Sequence, residues 1–443
     1  MTNHVPRTRG RTLVAALGAI AFAGTLPACN DFLNAENPGA VEADDLNSPA
    51  YVNLLTNGVI GEFQPMFATV NYYNALFSDE LSNTHVFFEE KLVDLRDVTE
   101  ENGTYSFFYY GPLHRTRFLA DSVAARLNII LGDSASRDLR LARVKAYGGY
   151  TYILLAENLC ESPIDLSAPL PPSELFQRAV DRFDEAIAVA TAAKVVPGAS
   201  AALMAGADSM INLARVGAAR ASLGMGDMAA AISYASPVPA AFEMRAYFSE
   251  NSGGQNNMWW GRISTGSSGS NSAALSYTPF EAMVGDPRIP RPATEERGMN
   301  GDSIFIPNSP SAFSTHDGTA VGANVTRSAS IRIASGLEAR YVIAEAEGAT
   351  PATLAFVQSR RAAGMQPAAT FSGAALMAEL RDQRRRDLYL DGHRLGDLRR
   401  YIELYSVNDF QTGPYPNTTT GETYADRKCW PLTLAERNGN PNL

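Results

Sequence analysis

Few residues in this 443-residue chain have the types and spacing that catalysis would need. The histidines His4, His85, His114, His316 and His393 are scattered without HExxH or any other metal-ligand spacing, and no serine sits in a G-x-S-x-G elbow. Neighbouring carboxylates such as Glu89-Glu90 and Glu295-Glu296 read as solvated surface. No catalytic residue, metal site or cofactor is assigned. Recognition chemistry is better represented. Asn256-Asn257-Met258-Trp259-Trp260-Gly261-Arg262 joins flat aromatic faces to amide and guanidinium groups. That combination stacks on sugar rings and bonds to their hydroxyls. Trp259, Trp260, Asn257 and Arg262 are therefore candidate ligand contacts, as are Tyr72 and Tyr73 beside Asn71 and Asn74, and Tyr277. Each aromatic has core packing as its competing role. For Phe107-Phe108-Tyr109-Tyr110, which leads straight into a periodic helix, core packing is the expectation.

Cysteine chemistry speaks to location. Arg7, Arg9 and Arg11 precede an apolar run from Leu13 to Gly24, and Leu26-Pro27-Ala28-Cys29 closes the segment. The run is far shorter than the roughly 20 residues that span a bilayer, so residues 1–28 read as a lipoprotein signal peptide with Cys29 as the acylated first mature residue. Ordinary cleavage beside an incidental cysteine is the alternative. Loss of the three arginines takes the formal charge from −10 to −13, which disfavours a nucleic-acid partner. Cys160 and Cys429 could pair in an oxidising setting or stand as two separate buried thiols, and neither has the CxxC neighbour that redox or zinc chemistry would use.

Helices must position these groups. Residues 29–49 are a polar, proline-containing tether. Phe118, Leu119, Val123, Leu127 and Leu131 form one stripe, a second helix spans about Arg137 to Leu159, and Phe176, Val180, Phe183, Ile187 and Ala190 form a third stripe after Pro171-Pro172-Ser173. Ile211, Ala214, Ala218 and Ala221 make a small-residue face, followed by a turn at Leu223-Gly224-Met225-Gly226-Asp227 and a helix from Met228, an arrangement that resembles a tetratricopeptide hairpin. The dinucleotide-like Gly224-x-Gly226-x-x-Ala229 follows a helix where a strand is required, so it is discounted. From 236 to 335 proline, glycine, serine and asparagine predominate, giving a loop-rich insertion and candidate ligand face. Helical character returns at Leu337–Gly348, Pro351–Ala363 and Gly373–Tyr405. The helical body is thus 50–235 plus 336–405, with 406–443 packing back on it.

The stretch Gln383-Arg384-Arg385-Arg386-Asp387-Leu388-Tyr389-Leu390-Asp391-Gly392-His393-Arg394, with Asp397-Leu398-Arg399-Arg400, resembles the ERRREL-x-x-EGHR-x-x-DLRR signature of SusD/RagB outer-membrane lipoproteins. Cys29-Asn30-Asp31-Phe32-Leu33, Arg340 to Ala346, Val357 to Gly364, and Pro431-Leu432 to Asn440-Pro441-Asn442-Leu443 resemble other family landmarks in family order. Gln383, Asp387 and Asp391 stand where the family has glutamates, and Leu395-Gly396 replaces its aromatic pair. The motif itself reads as structural. Asp387, Asp391 and Asp397 can neutralise Arg384, Arg394 and Arg400 across a helix corner where Gly392 ends one helix and His393 makes a hydrogen bond.

The resemblance implies a mainly α fold of tetratricopeptide-like hairpins forming a curved body with a loop-rich insertion. It implies a non-catalytic receptor for an oligosaccharide or other nutrient, lidding a SusC-type TonB-dependent transporter. The protein would be anchored by lipid alone and would face the cell exterior at the outer membrane. Two other classes stay open on the residues: a lipid-anchored helical-repeat scaffold for proteins, and a lipoprotein hydrolase for which no residue set argues.

Overall fold

Phe183 shows how this sequence builds helix pairs. Its ring lies where side chains on two neighbouring helices would be: a Cβ at Gly149 would come within 2.6 Å of it, and one at Gly217 within 2.2 Å. Those residues belong to α4 (Leu139–Asn158) and α6 (Ala201–Gly224), and Phe183 belongs to α5 (Pro172–Lys194) between them. Glycine at both positions lets the backbones close on one aromatic ring. Before α4 come α1 (Val52–Phe77), the short α2 (Phe88–Asp94) and α3 (Gly111–Leu131). After α6 the turn arrives as expected. Asp227 caps α7 (Met228–Ala235) by accepting the Ala230 amide at 3.0 Å.

The computed structural model describes residues 45–263, 271–315, 317–319, 325–417 and 421–443. The signal segment, Cys29, most of the tether and His316 fall outside these residues. Ser48–Leu443 forms one unit. The insertion contributes α8 (Met258–Ile263) and three small antiparallel sheets. In the first, β1 (Ser82–Asn83) pairs with β3 (Ala273–Ala274). In the second, β7 (Ser330–Ser335) lies between β2 (Glu243–Ala246) and β6 (Phe313–Ser314). In the third, β4 (Glu296–Arg297) pairs with β5 (Ser303–Ile304). The chain then returns to α9 (Gly336–Glu347), α10 (Pro351–Ala363), α11 (Gly373–Asp387), α12 (Arg394–Tyr405) and a terminal α13 (Leu434–Gly439). Cys160 and Cys429 are joined by a disulfide with Cα atoms 5.0 Å apart. Beside it Trp430 is fully buried, its ring 4.5 Å from Tyr109 and its indole N–H donated to Asn74.

Two expectations about aromatics are corrected. Phe118 leaves the α3 stripe and is 57% exposed, although Val123 and Leu127 are buried. Phe107 and Phe108 are 74% and 44% exposed, whereas Tyr109 and Tyr110 are buried. The physical reason is a π-helical turn at Ser106–Tyr110, whose extra residue per turn carries the phenylalanines out of phase with the buried face.

The α11–α12 corner is a buried ion lattice. Arg384 and Arg400 reach Asp397 at 2.7 and 2.8 Å, and Arg400 also holds Glu345 of α9. Asp387 is gripped by Arg360 of α10 and by Arg288 of the insertion. Arg394 forks onto Asp79 just after α1 at 2.6 and 2.7 Å. Gly392, at φ +83, brings the turn so close to α1 that a Cβ there would lie 2.0 Å from the Asn71 amide. His393 is clamped between Asp391 on Nδ1 at 2.6 Å and Glu338 on Nε2 at 2.9 Å. Nδ1 is hydrogen-bonded to Asp391 and Nε2 lies in ion-pair contact with Glu338, so carboxylates on both sides favour the imidazolium form. Burial and Arg220 push its pKa down, yet Asp391 and Glu338 prevail and hold it up at about 9. Arg332 of β7 completes the corner by binding Asp391 at 2.6 Å.

A His pKa raised from 6.5 to about 9 gives stability that is complete below pH 6.5 and lost as pH rises through 9. Glu80 acts in the same sense. Burial raises its pKa to about 8, so the fold loses stability as that carboxyl ionises on the alkaline side of 4.5. Urea midpoints should therefore fall steadily from pH 5 to pH 9. His393→Gln should flatten the part of the slope between 6.5 and 9, worth up to about 3 kcal/mol. An unchanged slope in that variant would refute the imidazolium clamp. Separately, Gly217→Ala should cost roughly 1–3 kcal/mol through its collision with Phe183, while Gly58→Ala, which meets open space, should be neutral or stabilising.

Candidate functional site

The sequence candidates do come together, but as a support. Tyr72 and Tyr73 are on the buried face of α1, their rings 5.2 Å apart, and Tyr72 meets Trp259 of α8 edge-on at 5.5 Å. Trp259 packs in turn on Phe313 of β6 at 5.2 Å and has no exposed surface. Asn257 is equally buried. Its side chain donates to the Ala329 carbonyl at 2.6 Å and accepts the Trp259 amide at 2.9 Å, which makes it the cap of α8. Burial removes these four residues from any solvent-facing site. Trp260 is half-buried, with the Arg327 guanidinium 4.2 Å above its ring. Tyr277 is half-buried at φ +67, and its amide donates to the Glu281 carboxylate at 2.9 Å. They do not join the Tyr72–Trp259 cluster.

Arg262 links that cluster to the surface. It sits over Tyr72 and forms a 2.8 Å ion pair with Glu90 of α2, which also accepts the Tyr73 hydroxyl at 3.3 Å. Glu90 is buried, contrary to the solvated reading of the Glu89-Glu90 pair. Glu89 is occupied as well, accepting the amides of Gly103 and Thr104. A carboxylate withdrawn from water and held by one guanidinium fixes the start of α2.

What that anchor holds in place is an aromatic ledge. Val86, Phe87 and Phe88, at the entry to α2, are 59%, 61% and 66% exposed. The His85 ring lies 4.2 Å from that of Phe87, and its Nδ1 accepts the Phe87 amide at 3.0 Å. Burial lowers the His85 pKa, so the ring is neutral with its proton on Nε2. The insertion forms the other bank. Thr84 receives the Asn300 amide at 2.9 Å and donates its hydroxyl to the Asn271 carbonyl, and Asn417 donates to the Asn83 carbonyl at 2.8 Å. Asn300 further binds Asp302 at 2.6 Å. Burial, and after it the Asp302 carboxylate, raise the Tyr277 hydroxyl pKa. Below the ledge Asp94 accepts the Asn83 amide at 2.6 Å and the Tyr415 hydroxyl at 2.5 Å, and burial raises its pKa to about 7.

Exposed phenyl faces, with the Asn300 amide and Asp302 carboxylate tied to the same segment, suit a polyhydroxylated ligand better than an ion or a hydride donor. Among the described residues no group of three or more His, Cys, Asp or Glu could hold a metal ion. The ledge was missed because Phe87 and Phe88 lie at a helix start, with no period to read. The available signal was an apolar triplet running directly into Glu89-Glu90-Lys91.

Neither protein-family models nor curated proteins match the chain. Solved structures do. Surface glycan-binding protein A from Bacteroides thetaiotaomicron aligns at TM-score 0.64 and 12% identity, over 90% of this chain and 98% of that one. A SusD superfamily protein from Bacteroides fragilis aligns at 0.63 and 12%, over 89% and 99%. A SusD-like carbohydrate-binding protein from Bacteroides vulgatus aligns at 0.62 and 13%, over 89% and 97%. The chain has the SusD-like fold.

If Glu90 is held by Arg262, then Arg262→Met should destabilise the protein by about 2 kcal/mol, because it leaves a buried carboxylate with only the Tyr73 hydroxyl. The double variant Glu90→Gln/Arg262→Met should cost less than Arg262→Met alone. Equal losses in denaturant titration would show that the pair does not anchor α2.

Proposed function

We propose that this SusD-like chain is a non-catalytic, lipid-anchored cell-surface protein that binds an oligosaccharide or related nutrient and passes it to a SusC-type TonB-dependent transporter of the outer membrane. The observation that carries the reading is the ledge at Val86-Phe87-Phe88, facing solvent beside amide and carboxylate groups. Two structural neighbours are described as binding glycan or carbohydrate, and the exposed rings of the ledge suit a ligand of that class. Anchoring rests on the leader that ends at Cys29. Among the described residues no helix is long and apolar enough to cross a membrane, in keeping with attachment by lipid.

Affinity electrophoresis through gels containing a panel of polysaccharides tests the binding half. At least one polysaccharide should retard the native protein, and Phe87→Ala/Phe88→Ala should abolish that retardation. Melting should change little, because both rings are mostly in water. Retardation that survives the double substitution would move ligand capture elsewhere. Fatty-acid labelling that marks the native chain but not Cys29→Ser, together with copurification of a large β-barrel, tests the anchoring and delivery half. A purified native protein with neither label nor barrel would overturn it.

A further inference from the structure

We propose a second glycan-binding groove on α1, separate from the ledge and able to take an extended, uncharged oligosaccharide chain. This rests on the glycan reading of the ledge but draws on different residues. Phe107 and Phe108 project from the π-helical turn into water, their centroids 4.9 Å apart and their planes at 85°. They border a hollow of about 670 Å³ whose floor is Pro65, Met66 and Thr69 of α1. That volume lies within the range of small-molecule sites, and the mutually perpendicular rings offer faces in two orientations. A π-helical turn is a costly local departure that recurs at functional positions. Here it is the device that brings two phenyl rings out of the core. At the rim Arg115 pairs with Glu62 at 2.5 Å, so the polar edge is already neutralised and favours a ligand with no net charge.

Pro65 also borders a neighbouring recess of about 280 Å³, which Tyr247, Asn251 and Gln255 border as well. Tyr247 is 45% exposed. Gly61 lines this second recess, and a Cβ there would meet nothing within 4 Å. Pro65 has no N–H to offer the Gly61 carbonyl one turn earlier. From Gly61 to Thr69 the helix rises about 12 Å, a length that suits several linked sugar rings better than one. Aromatic rings, amides and a balanced ion pair along such a track match the alternating faces and hydroxyls of a neutral glycan.

The test compares three proteins on long polysaccharides and on their short oligosaccharides: native, Phe87→Ala/Phe88→Ala, and Phe107→Ala/Phe108→Ala. The groove variant should bind the long polymer about ten-fold more weakly while short-chain binding at the ledge is unchanged. Gly61→Trp, which fills open space without touching the core, should reproduce that loss at an unaltered or raised melting temperature. Retention of the long polymer by both groove variants at native strength, with loss confined to the ledge variant, would overturn the groove and leave the ledge standing. A native protein retained by no polysaccharide would overturn both.

Discussion

The ion lattice at the α11–α12 corner is the constraint on which the rest of the structure depends. Its members come from nearly every layer: Asp79 after α1, Glu157 of α4, Arg220 of α6, Arg288 and Arg332 of the insertion, Glu338 and Glu345 of α9, and Arg360 of α10. Arg220 ties Glu157 by a bidentate pair at 2.6 and 2.7 Å and donates to the Gly392 carbonyl. Charges taken out of water gain from pairing roughly what they lost in hydration, so such a lattice adds little net stability. Breaking any one pair leaves a buried charge without a partner, which is costly. The lattice therefore acts as a register. Helices from both halves of the body and the strand that closes the insertion must arrive together, or some of the buried charges lose their partners.

That register reaches the ledge through short, stiff connections. Arg394 holds Asp79, and an oxygen of the Glu80 carboxyl accepts the Leu390 amide at 2.8 Å, so the exit from α1 is fixed to the corner. Two residues later β1 pairs with β3 of the insertion, and Asp94 accepts the Asn83 amide. Glu90 is meanwhile fixed by Arg262 and Tyr73. The segment from Asp79 to Asp94 is thus held at both ends and in its middle, while Val86, Phe87 and Phe88 stay in water. Preorganisation of this kind lowers the entropy that a ligand would otherwise have to supply on binding.

How far the sequence could be read follows from which signals are local. Helices with clean periods were legible nearly to the residue: Pro351–Ala363 as expected, and Pro172–Lys194 after its Pro171-Pro172-Ser173 start. The corner was legible only in part: Asp397 neutralises Arg384 and Arg400 as expected, but Asp387, Asp391 and Arg394 find their partners in Arg360, Arg332 and Asp79, which are distant in sequence. The long α1 was not singled out, since Gly58, Gly61 and Pro65 disrupt its pattern although tertiary packing holds it together. The buried β7 was also passed over: Ser330-Ile331-Arg332-Ile333 alternates as a half-exposed strand would, the alternation breaks at Ile333-Ala334, and both faces are buried. The aromatics misled for a related reason. Side-chain type does not report exposure, and a π-helical turn or a helix start can place phenylalanine in water while tryptophan fills the core.

Fold and recognition are consequently written in separate sets of residues. The lattice, the Phe183 contact and the Trp430 cluster are buried, and they could not change singly without leaving a cavity, a clash or an unpaired charge. The exposed rings of Phe87, Phe88, Phe107 and Phe108 touch little of the core, so substituting them costs the fold little. Two chains can then share this architecture at 12% identity, provided each keeps a self-consistent interior, and still present different surfaces. The same separation explains why backbone similarity reports the fold, while what such a surface recognises is left to its exposed side chains.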